Sequence, residues 1–108
     1  MTLPQEIIVD AERIRQQYRE SWLKLGMSPD SSIEALQAIW IRRDKHPYRY
    51  LKAVERFYLS LKPIERRILL AECLERGRWY PFWYYGAMDP RVYRNAVIGT
   101  MKKARRCL

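Results

Sequence analysis

Between Pro4 and Leu25, apolar side chains return every three or four residues. Ala11, Ile14, Tyr18, Trp22 and Leu25 form one stripe, and Glu12, Arg13, Arg15, Gln16, Arg19 and Glu20 lie off it. That period belongs to a helix, and a stripe of this length must be covered by other elements before the chain can fold. The rest of the sequence supplies the cover in the same form. Gly26 suits a C-cap, and Ser28-Pro29-Asp30-Ser31 reads as a turn. Ser31 or Ser32 can cap a second helix that carries Ile33, Leu36, Ile39 and Trp40 and ends near Asp44. His46-Pro47 reads as a break, because the residue before proline avoids the helical region. A third helix puts Leu51, Val54, Phe57, Tyr58 and Leu61 on one side. Lys62-Pro63 opens a fourth, with Ile64, Ile68, Ala71 and Leu74 facing inward and Gly77 closing it. No stretch alternates as a strand would, which predicts an all-α fold.

The 108 residues suffice for one domain with a single core and are too few for two. No apolar run approaches the roughly 20 residues of a membrane span, and the first ten residues lack the pattern of a secretory signal. A cytoplasmic location is the expectation. Cys73 and Cys107 have no ligand spacing and His46 is the single histidine, so neither a metal nor a cofactor is expected. Cys73, inside the apolar run of Ile68 to Leu74, reads as a small buried hydrophobe, and Cys107 as part of a frayed end. No carboxylate pair, nucleophile–base pair or phosphate-cradling glycine loop appears, so the chain does not read as an enzyme.

Charge narrows the functional classes further. Residues 1–61 hold 10 basic and 8 acidic side chains, whereas residues 62–108 hold 11 basic and 4 acidic ones. A basic half of this kind is the footprint of a polyanionic partner. Its sharpest expression is the last helix, which Asp89 caps and Pro90 opens, and which runs through Lys103 or beyond. Val92, Tyr93, Ala96, Val97, Thr100, Met101 and Ala104 form one side. Arg91, Arg94, Asn95, Lys102, Arg105 and Arg106 fall mainly on the other. Arg and Asn in the first two turns are the side chains that read guanine and adenine edges in a major groove. The expected division of labour is base reading by Arg91, Arg94 and Asn95, and phosphate contacts by Arg78, Lys102, Lys103, Arg105 and Arg106.

Two short motifs in this half resemble a known family. Leu61-Lys62-Pro63-Ile64-Glu65-Arg66-Arg67-Ile68-Leu69-Leu70 resembles the opening of region four of bacterial sigma factors, where a leucine, a proline and a Glu-Arg pair precede an apolar helix. Gly86-Ala87-Met88-Asp89-Pro90-Arg91-Val92-Tyr93-Arg94 resembles the turn and recognition helix of that fold. With Met101-Lys102-Lys103-Ala104, the pattern is similar to the ArpU group of phage transcriptional regulators. The resemblance spans Leu61 to Arg106 and implies a C-terminal helix-turn-helix (61–106) on an N-terminal helical platform (1–60), five to six helices in all. Where the family has small residues in the first helix of the motif, this chain has bulky aromatics, and Pro81 interrupts them.

That segment, Arg78 to Gly86, predicts only a short helix starting at Pro81. Trp79, Phe82 and one tyrosine are expected in the core, since aromatics bury the most area of any side chain. Trp79, Trp83, Tyr84 and Tyr85 are the candidate protein-binding surface, and together with Phe82 they could also stack on single-stranded bases beside Arg76 and Arg78. The leading expectation is a phage-encoded, DNA-binding transcriptional regulator acting on double-stranded DNA, with a homodimer or an RNA polymerase contact through residues 1–60. The rival is a small phage-type protein-interaction module, an inhibitor or polymerase-binding factor, that uses the aromatic cluster 79–85. RNA binding comes third.

Overall fold

The computed structural model describes residues 2–39 and 46–108. Among these residues there are five helical segments and no strand. Helix α1 spans Gln5–Lys24, a 3-10 helix spans Ile33–Ala38, α2 spans His46–Ser60, α3 spans Pro63–Leu69 and runs on as a π-turn at Leu70–Leu74, and α4 spans Pro90–Cys107. No helix among the described residues is long and apolar enough to cross a membrane.

Helix α1 is the spine. Ile7, Ala11, Ile14, Tyr18 and Trp22 are all buried along it, and it touches α2, the π-turn and α4. Its end follows from local chemistry. Gly26 takes φ 75°, the Gly26 amide donates to the Leu23 carbonyl at 2.9 Å, and the Met27 amide donates to Trp22 at 2.9 Å. This pair of bonds satisfies the last carbonyls of the helix and requires a residue that tolerates the left-handed region.

The second helix is a 3-10 helix where an α-helix was expected. Ile33, Leu36 and Ile39 recur at intervals of three, which matches three residues per turn and holds one edge against the core. Ser32 stands at its N-cap position without a side-chain bond. The remainder of that expected helix, Trp40 to Asp44, lies outside the described residues.

His46-Pro47 lies within the first turn of α2, since proline needs no hydrogen-bond partner there, and the chain just before it lies outside the described residues. His46 is exposed. Leu51, Val54 and Phe57 are buried on α2, and Leu61 follows in the loop. The Arg66 guanidinium reaches back to the end of α2, donating to the carbonyls of Tyr58 at 3.1 Å and Leu59 at 2.8 Å. A cation at a helix C-terminus satisfies orphan carbonyls and opposes the helix dipole.

Helix α3 starts at Pro63, and the Lys62 amide donates to Glu65 Oε1 at 3.1 Å. Ile68, Leu69, Cys73 and Leu74 are buried, and the Cys73 thiol lies 3.6 Å from Met101 Sδ. Burial raises the pKa of this thiol well above its ordinary value, so it is an inert packing group.

The aromatic segment departs most from expectation. Residues 80–88 form successive turns instead of a short helix, with the Trp83 amide donating to Tyr80, Tyr85 to Phe82 and Ala87 to Tyr84. Phe82 is 48% exposed, so it is not a core residue; the buried aromatic is Tyr84, at 4%. The reason lies on α4. The Tyr84 ring stacks face to face on Tyr93 at 3.6 Å, and Trp83 meets the same ring edge-on at 5.6 Å. Tyr93 thus selects the aromatics on one side of the turns and leaves Tyr80, Phe82 and Tyr85 in solvent.

Removal of the buried ring should be costly and removal of its exposed neighbour should not. Tyr84→Ala is expected to lose about 3 kcal/mol of unfolding free energy, and Tyr85→Ala less than about 0.5 kcal/mol. Urea denaturation of the two variants checks this, and equal losses would contradict the burial assignment.

Candidate nucleic-acid interface

Helix α4 begins where the sequence says it should. The Asp89 side chain accepts from the Arg91 amide at 2.8 Å, and Pro90 occupies the first turn. Tyr93, Val97, Thr100, Met101 and Ala104 are buried, and the Thr100 hydroxyl satisfies itself on the Ala96 carbonyl at 2.8 Å. The Tyr93 hydroxyl donates to Glu72 Oε1 at 2.5 Å. Desolvation, first, and the Glu72 carboxylate, second, raise the pKa of this phenol far above its ordinary value, so it remains a donor.

With one face fixed in the core, rotation by about 100° per residue assigns every other side chain. Arg91, Asn95, Gly99, Lys102 and Arg106 share the stripe opposite Val97 and Met101, and all five are exposed. Residues 90–108 contain six basic side chains and no acidic one. Among the described residues, no carboxylate pairs with Arg91, Lys102 or Arg106.

The other candidate phosphate contacts lie on the flanks and are held from within. Arg105 forms a two-pronged contact with Asp10 of α1, at 2.5 and 2.8 Å, with Glu6 at 3.9 Å. Lys103 turns the other way, to Glu65 of α3 at 2.7 Å. Arg94 donates to the Thr2 carbonyl at 2.7 Å. Arg78 stands elsewhere, 3.8 Å from Asp30, which also holds Arg19 at 2.6 Å. The structure therefore brings together Arg91, Asn95, Lys102 and Arg106, places Arg94, Lys103 and Arg105 beside them in ion pairs or hydrogen bonds, and separates Arg78 from the group.

Next to the start of α4 lie the aromatics. Trp79 and Trp83 are half-buried and meet edge-on at 5.0 Å, and the Trp79 indole donates to Glu75 at 2.9 Å. Of the four candidate protein-binding aromatics, Tyr84 is buried and Tyr85 is exposed.

A second basic face lies on α2. Arg49, Lys52 and Arg56 follow one another at helical spacing on α2 and, with Tyr48, line an open groove of about 610 Å³. Lys52 is bound to Glu55 at 2.6 Å. The signal that could have found this face is the recurrence of bases at i, i+3 and i+7 on the side of α2 away from Leu51 and Val54. Among the described residues, no three His, Cys, Asp or Glu side chains come together as a metal site would require.

The Lys103–Glu65 contact gives a pH signature. The bond from Lys103 holds the Glu65 carboxyl below its ordinary pKa. A depressed carboxyl pKa contributes stability above the unfolded-state value and loses it as pH falls through the folded-state value. Glu65→Gln should therefore lower Tm at pH 7, and the gap from wild type should close as the pH falls below the ordinary glutamate pKa of about 4.3. A gap that persists unchanged at acid pH would contradict the assignment.

No family model matches this chain, and neither a curated protein nor a solved structure is significantly similar to it.

Proposed function

We propose that this protein binds double-stranded DNA through the solvent face of α4 and acts as a transcriptional regulator of the phage type. The observation that carries the reading is the exposed stripe Arg91–Asn95–Lys102–Arg106 on a helix with six bases and no acid. From Arg91 to Arg106 the stripe is about 22 Å long at 1.5 Å per residue. A major groove is about 12 Å wide. One end of the helix can therefore enter the groove while the other reaches a flanking backbone. Arg91 and Asn95 take the base-reading role, and Lys102 and Arg106 the phosphate role.

The helix-turn-helix in this reading is an unusual one. A turn of three or four residues normally joins the two helices, whereas residues 75–89 separate the π-turn from α4. The supporting helix is then α3, which packs directly against α4. Arg94 contributes only by exchanging the Thr2 carbonyl for a base or phosphate. The chain uses no catalytic chemistry in this role.

A specific observation favours the rival, a protein-interaction module, namely the exposure of Tyr80, Phe82 and Tyr85. Exposed aromatics are typical anchors of protein interfaces.

Fluorescence anisotropy with duplex DNA at several salt concentrations separates the two. Affinity should fall steeply with salt, and Lys102→Ala and Arg106→Ala should each weaken all sequences equally and reduce the log–log slope by about 1. Arg91→Ala or Asn95→Ala should cost about 1–3 kcal/mol on a preferred site and relax its base preference. Absence of duplex binding at low salt would transfer the function to the aromatic surface and a protein partner.

A further inference from the structure

The chain reverses just after the π-turn. Gly77 takes φ 91°, a left-handed conformation that suits glycine, and the turns that follow bring two tryptophans back beside Glu72. The result is an open cleft of about 320 Å³ walled by Trp79, Tyr80, Pro81 and Trp83, with Glu72 and Arg76 also lining it. Trp79 and Trp83 are half-buried and meet edge-on at 5.0 Å. A volume near 300 Å³ is the lower end for ligand pockets, with room for one large side chain.

The acids at this cleft are held by aromatic donors. Glu72 Oε1 accepts from the Tyr93 hydroxyl at 2.5 Å, and Glu75 Oε1 accepts from the Trp79 indole at 2.9 Å. Each carboxylate has a second oxygen, and among the described residues neither Glu72 nor Glu75 is paired with a base. In a chain with 21 basic side chains against 12 acidic ones, two such acids in one helical turn are a local exception. The base that lines the cleft is already engaged, since Arg76 pairs with Glu12 of α1.

Rings beside carboxylates repel a phosphate and attract a cation. The face of an indole draws positive charge, and a neighbouring carboxylate supplies the counter-ion. A guanidinium suits both at once, because it is planar, stacks on aromatic faces and offers a fork of N–H donors to carboxylate oxygens. A lysine ammonium is more strongly hydrated and has no plane to stack.

We propose that this cleft takes an arginine side chain of a partner protein, its guanidinium packed against the Trp79–Trp83 pair and donating to Glu72. The site is separate from the outer stripe of α4 and does not depend on the duplex-binding reading.

The test titrates the full, isotopically labelled chain with a blocked Gly-Ser-Arg-Ser-Gly peptide and follows the indole N–H signals of Trp79 and Trp83. Both signals should shift and saturate, with a Kd of about 1 mM. The same peptide with citrulline, which keeps the shape and loses the charge, should bind about tenfold more weakly. Glu72→Gln keeps an acceptor for Tyr93 and should weaken the arginine peptide about fivefold. Arg76→Gln removes a like charge and should leave the affinity unchanged or raise it. Thermal melting verifies that both variants are folded, and the citrulline comparison needs no variant. Free arginine should bind no more tightly than the peptide; tighter binding would assign the cleft to a small molecule and overturn the protein partner. Absence of a saturable shift in wild type would overturn the proposal. So would equal binding of the citrulline peptide, an unchanged affinity in Glu72→Gln, or a loss of affinity in Arg76→Gln, the sign an anion site would give. No arm of this test uses DNA, so its failure leaves the duplex reading where it stands.

Discussion

Tyr93 fixes how the last helix sits. Its ring is stacked on Tyr84 and meets Trp83 edge-on, and its hydroxyl donates to Glu72 in the π-turn that ends α3. Three successive segments, the π-turn, the aromatic turns and α4, are joined at one side chain. Below it, Val97, Met101 and Ala104 continue the contact to the C-terminal end of α4. A helix pinned along one face has no rotational freedom left, and so the identity of the residues in water follows from the identity of those in the core. The stripe from Arg91 to Arg106 is displayed because Tyr93, Val97 and Met101 are not.

Charge is then sorted by position around that helix. The bases about 60–120° from the core stripe find carboxylates or a carbonyl on the neighbouring elements: Arg105 on Asp10, Lys103 on Glu65, Arg94 on Thr2. Exposed pairs of this kind contribute only about 0–1 kcal/mol each, too little to be the reason the helix docks. Their effect is to steer its two flanks toward α1 and α3 and to neutralise charge there. The residual positive potential is concentrated on the outer stripe, where a phosphate backbone could approach without meeting a carboxylate from α4. The exposed aromatic turns lead into the N-terminal end of the same helix and are anchored on its buried face through Tyr93.

How much of this was legible follows from the range of each interaction. The stripe Ile14, Tyr18, Trp22, the Gly26 stop, the Pro63 start and the Asp89 cap depend on neighbours within a few residues, and their signals lie in the local sequence. The short 3-10 helix at Ile33–Ala38 was misread because three-residue spacing fits both helix types over so short a span. The aromatic segment was misread because Pro81 suggests a helix start, while the outcome depends on Tyr93, which lies beyond the segment. Nothing local distinguishes Tyr84 from Phe82. In the same way, Arg105 and Lys103 looked equivalent to Arg106 until Asp10 and Glu65 were brought beside them by the fold. The face of α2 carrying Arg49, Lys52 and Arg56 is periodic in the sequence and could have been read there.

The proposed contact surface for DNA is the outer stripe of α4. Amide chemical-shift mapping of the isotopically labelled protein, titrated with a short duplex at low salt, tests it residue by residue. The largest shifts are expected at Arg91, Asn95, Gly99, Lys102 and Arg106, with the amides of α2 undisturbed. Shifts confined to Arg49, Lys52 and Arg56 while α4 remains silent would contradict it.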